Sequence, residues 1–104
     1  MTIIPLGKVQ VPTPGTPVQI TLTAAQVAEL HKSGVVAKIE VWADTADTGT
    51  TFVKHAATGL KIASLPVPAN GRCEHWEARD VNPTTVAIDA AVVNNGPEVT
   101  LWVA

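Results

Sequence analysis

A small all-β sandwich or jelly-roll-like barrel with one short helix is the fold this sequence predicts, and three observations predict it. First, the chain from Val35 to Val103 is a series of short apolar segments, several of which alternate with polar residues. Examples are Lys38-Ile-Glu-Val-Trp42, Thr51-Phe-Val-Lys-His55, Cys73-Glu-His-Trp-Glu-Ala78 and Val99-Thr-Leu-Trp-Val103. A period of two is the mark of a strand with one face buried. Second, the segments are separated by Gly, Pro, Asn and Asp, the residues that turns demand. Third, Val, Ala and Thr dominate and Tyr is absent; the branched side chains of Val and Thr pack well on a pleated surface.

The elements follow in order. Met1 to Leu6 is an apolar segment ending at Gly7. It reads as an edge strand or as an arm, residues 1–7, that docks on a neighbour, leaving 8–104 as a single sandwich domain. Ile3, Ile4 and Leu6 are costly to leave in water, which makes them candidate partner contacts. Lys8-Val-Gln-Val11 and Pro17-Val-Gln-Ile-Thr-Leu22 read as strands. The prolines and glycine of Pro12-Thr-Pro-Gly-Thr-Pro17 make the stiff turn between them.

Thr23 to Gly34 is the helix candidate. Thr23 with Gln26 has the capping-box spacing, and Ala24, Val27 and Leu30 share a face expected to pack on a sheet. His31 and Lys32 suit the negative end of the helix dipole, and Gly34 suits a C-terminal cap. In Lys38-Ile-Glu-Val-Trp42, Ile39 and Val41 face one way, with Lys38, Glu40 and Trp42 on the other. Asn70-Gly71 and Asn95-Gly96 are tight-turn dipeptides, since both residues tolerate positive φ.

Composition sets limits. The 104 residues fit one domain, and 46% hydrophobic with 15% charged excludes a disordered polyelectrolyte. So little charge also suggests that some apolar surface is covered by a partner. Net charge is −2, with seven Lys and Arg scattered along the chain, so no basic patch for nucleic acid is expected. Cys73 is the single cysteine, so no internal disulfide is possible. Met1-Thr-Ile-Ile-Pro-Leu has no basic start and Pro5 interrupts it, so neither a signal peptide nor a membrane span is expected.

No catalytic or metal constellation emerges. Cys73 and His75 share a face along a strand, but zinc needs about four ligands and the spacing is not that of a finger. A small packed thiol beside a surface His is the plainer reading. Asp44 and Asp47 lie in a polar loop and read as residues capping backbone amides; a calcium loop needs more oxygens at fixed spacing. No nucleophile elbow or phosphate-binding glycine loop is present. Trp42 and Trp76 read as outward-facing interface or sugar-stacking anchors, with core packing the alternative. For Trp102, between Leu101 and Val103, the core is expected.

The segment order resembles a class of small tailed-bacteriophage virion proteins of the head decoration or cement type. The resemblance rests on Gly7 to Leu22, Ile39-Glu-Val-Trp-Ala43, the tip Thr48-Gly-Thr50 and Phe52-Val53. It continues through Gly59-Leu60, Pro68-Ala-Asn-Gly71, Cys73 to Ala78, Thr85-Val-Ala-Ile-Asp-Ala90 and Val99 to Val103. It implies a non-enzymatic protein without cofactors, made in the host cytoplasm and carried on the outer capsid surface. Its partner would be the major capsid protein, bound by a homo-oligomer, trimer or dimer. The resemblance assigns no residue a role; Ile3, Ile4, Leu6, Trp42 and Trp76 are candidates on their own chemistry. A phage fibre or receptor/carbohydrate-binding module is the alternative function.

Overall fold

The computed structural model describes residues 2–30 and 35–103. The expected sandwich is present. Its strands are β1 (Thr2–Lys8), β2 (Val18–Gln19), β3 (Val36–Trp42), β4 (Thr51–His55), β5 (Lys61–Leu65), β6 (His75–Val81), β7 (Val86–Ala90) and β8 (Glu98–Val103). One helix, α1 (Ala24–Glu29), follows β2, and a 3-10 turn at Pro83–Thr85 precedes β7. The strands form two antiparallel four-stranded sheets, ordered β1-β8-β3-β6 and β2-β7-β4-β5.

Alternation builds the core. Ile39 and Val41 of β3 and Val99, Leu101 and Val103 of β8 point inward from the first sheet. Val53, Leu65, Val86, Ile88 and Ala90 meet them from the second. Burying each such Val, Leu or Ile side chain contributes about 1.5–3 kcal/mol.

The N-terminal segment takes the edge-strand form. Thr2 to Lys8 pairs with β8, and a bulge between Pro5 and Gly7 makes room for Leu6. The expected strand at Lys8 to Val11 ends early, because the chain leaves the sheet. Val9 donates to the Pro97 carbonyl and Val11 to that of Asn95, a partnership with a loop rather than a strand. The strand expected over Pro17 to Leu22 is ladder-paired only at Val18 and Gln19.

The helix starts as its capping box requires. Thr23 accepts from the Gln26 amide and the Gln26 side chain accepts from that of Thr23. It buries no residue of its own, however, and Val27 is exposed. Only Leu30, just past its end, packs against the core. A packed apolar helix face is therefore not found. The expected last turn, with His31, Lys32 and Gly34, lies outside the described residues.

The two Asn-Gly dipeptides behave differently. Asn70 and Gly71 both have positive φ, 54° and 73°, and close a tight turn bridged by Ala69 and Arg72. At the other, Asn94 carries the positive φ, 63°. Gly96 is needed for space instead: a Cβ there would overlap the Val9 carbonyl.

Candidate interaction surface

The first sheet leaves its outer face open, and cross-strand register lays its side chains in three rows. Ile3, Trp102, Lys38 and Arg79 form one. Pro5, Thr100, Glu40 and Glu77 form the next, followed by Glu98, Trp42 and His75. Opposed side chains on one face of a sheet are close enough to interact directly, and here they are linked into a continuous network.

The Lys38 ammonium lies 4.8 Å from the Trp102 ring centroid, a cation–π contact. The same ammonium is 2.9 Å from Glu40 and 3.6 Å from Glu77. Glu40 in turn accepts a 2.8 Å hydrogen bond from the Trp42 indole N–H. Trp42 stacks on His75 with ring centroids 4.2 Å apart and planes 14° from parallel. The bond from Trp42, then that from Lys38, holds the Glu40 carboxyl below its usual range. The bond to Glu40 raises Lys38. Both shifts favour the charged pair, so the network fixes two indole rings with charge around them. It provides rigid aromatic anchors of the kind that carry binding energy at interfaces.

The anticipated partner residues divide between this face and the core. Ile3 is 52% exposed and Trp42 is 39% exposed, both on the open face. Ile4 is buried in the core, and Leu6 packs against it half-buried. Trp76 corrects the expectation that it faces outward. β6 begins at His75 and pairs Trp76 with Val41, so Trp76 shares Val41's inward direction and packs on the core. Trp102 is the opposite correction: β8 alternation buries Leu101 and Val103 and turns Trp102 outward.

A second apolar exposure lies on β5 and its flanks, where the sequence period gives no sign of it. Leu60 is 69% and Ile62 is 47% exposed, with Val67 beyond them. Register pairs Lys54 with Lys61 and Val53 with Ala63, which makes Ile62 the extra residue of a bulge. Nothing in the sequence period distinguishes such a residue from an inward one.

The remaining polar residues hold loops together. Asp47 is buried and accepts from the amides of Asp44 and Gly96. Asn95 accepts from the amides of Thr48 and Gly49, tying the same two loops. The expected amide capping is thus found for both loop carboxylates: Asp44 accepts from the Ala46 amide, and Asp47 caps its amides while buried rather than solvated. On the second sheet, Asp89 accepts from the Gly15 and Ala90 amides and pairs with Lys54 at 2.6 Å. Burial pushes its carboxyl up, but these hydrogen bonds outweigh burial and hold it below its ordinary value.

Cys73 is half-buried against the core, with its thiol free, while His75 is exposed. Among the described residues no group of three or more His, Cys, Asp or Glu is placed to hold a metal ion. A shallow depression of about 270 Å³ is lined by Gln19, His55, Ala56, Ala57, Thr84 and Thr85. No helix among the described residues is long and apolar enough to cross a membrane. Comparison with protein-family models, curated proteins and solved structures gives no match for this chain.

Proposed function

We propose that this chain is a bacteriophage capsid decoration (cement) protein that docks on the outside of the head and bridges neighbouring major capsid subunits. The observation that carries the reading is the linked network Trp102–Lys38–Glu40–Trp42–His75 on an open sheet face. Ordered aromatic rings within a charged frame suit a protein interface, because little side-chain freedom is lost on docking. Ile3 extends the face on the edge strand beside Trp102. The protein acts as a homo-oligomer and performs no reaction. Many copies on one shell add modest contacts into firm attachment. The resemblance of the segment order to small phage head proteins supports the same reading.

A fibre or carbohydrate-binding module is the second reading. It is favoured by the Trp42 ring beside Glu40, since an indole face with a hydroxyl-accepting carboxylate is a unit of sugar recognition. The deciding experiment incubates the purified protein with empty capsids, followed by sedimentation and cryo-electron microscopy. Stoichiometric density with the Trp42 face against the shell is the expected result. Tight binding unchanged in a Trp42→Ala, His75→Ala variant would remove this face from the proposal. No binding by the wild type, with Trp42-dependent signals on a glycan array, would replace the capsid role with the second reading.

A further inference from the structure

The four sheet edges are unequal. β1 carries Pro5, which has no N–H to offer, and a bulge at the next residue, Leu6. β2 is two residues long. β5 pairs through a bulge, begins at Lys61 and is followed by Pro66. Prolines, bulges, lysines and shortness are the usual means of preventing edge-to-edge association. β6 has no proline, runs for seven residues and keeps one register with β3 from Val36–Val81 to Trp42–His75. Its one irregularity is Asp80, at φ 53°, next to its last residue.

We propose that β6 is a self-association edge: it pairs antiparallel with β6 of a second copy of this chain, about a two-fold axis at Ala78. The charges select this register. A continuous sheet requires residues of the same face to oppose one another, so the axis must pass through a residue of the strand. Centring on Glu77 sets two carboxylates face to face. Centring on Ala78 sets Glu77 opposite the second copy's arginine at position 79, twice by symmetry.

Among the described residues Arg79 is exposed and forms no ion pair, and Glu77 pairs with no cation but the shared ammonium of Lys38. The charges that would otherwise guard this edge are therefore self-complementary. The product is an eight-stranded sheet in which two copies of the Trp42 face lie side by side. This inference does not depend on the capsid role.

Sedimentation equilibrium over a wide concentration range, without capsids, tests it. The wild type is expected to dimerise. Glu77→Arg or Arg79→Glu alone is expected to weaken the dimer at least about tenfold, since each turns two attractive pairs into repulsive ones. The double variant Glu77→Arg/Arg79→Glu restores it, and the two single variants mixed together form a heterodimer. Circular dichroism confirms that each variant is folded. A wild type that stays monomeric overturns the proposal, as does a double swap that fails to restore association. So does a dimer that ignores these charges and dissociates in an Ile62→Ser variant, which would place the contact on the β5 patch. A failed dimer leaves capsid binding to be judged in its own assay.

Discussion

The outer sides of the two sheets are finished in opposite ways. On the second sheet the central strand β7 is buried along its whole length, Asp89 included. The proline-rich turn lies over it, with the Gly15 amide on the Asp89 carboxylate. On the first sheet, Trp42, Glu77 and Arg79 remain in contact with solvent. The covered side commits its charges to holding the chain together. The open side also fixes its charges, but around rings that face outward.

Breaking the covered side should cost far more stability than breaking the open one. The largest effect of all is expected outside both faces, where the chain after β1 meets the Asn95–Pro97 loop. Gly96→Ala drives a methyl into the Val9 carbonyl, and should lower stability by about 3–5 kcal/mol or prevent folding. Urea unfolding of the soluble fraction measures this. Next comes Asp89→Ala, which leaves the Gly15 amide and the Lys54 ammonium without their acceptor. A loss of about 2–3 kcal/mol is expected in the same assay.

Asp89 also predicts a pH dependence. Its folded-state pKa is depressed, so its contribution is present above the unfolded-state value. It is lost as pH falls below about 4 and through the folded value. Asp89→Asn should flatten that part of the stability profile in melts at successive pH values. The smallest stability effect belongs to the open side. Trp42→Ala should change stability by about 1 kcal/mol or less; on the proposed function it should at the same time weaken attachment to capsids. A loss at Trp42 as large as that at Asp89 would end the contrast between the two sides.

The legible parts of this fold are those set by local chemistry. The Ile39/Val41 alternation, the Thr23–Gln26 cap and the Asn70-Gly71 turn can all be read within a few residues, and each is found. Trp76 and Trp102 could not be oriented that way. Which parity faces inward depends on where a strand starts and what it pairs with, and both are long-range facts. The burial of Asp89 depends on a turn 74 residues away. Ile3 and Trp42 stand out in the sequence as apolar residues open to a partner, but the network that joins Trp42 to Trp102 arises only when β3, β6 and β8 align.

The strand order also dictates a timetable. β8 lies between β1 and β3, and β7 lies between β2 and β4. A ribosome makes β7 and β8 after every other strand, so the first two strands have no ladder partner until the last two emerge. Neither sheet can close during most of synthesis, and Ile4, a core residue of the finished fold, stays uncovered throughout that wait. Such a chain folds late and all at once, which favours slow folding and exposes it to misassociation before completion.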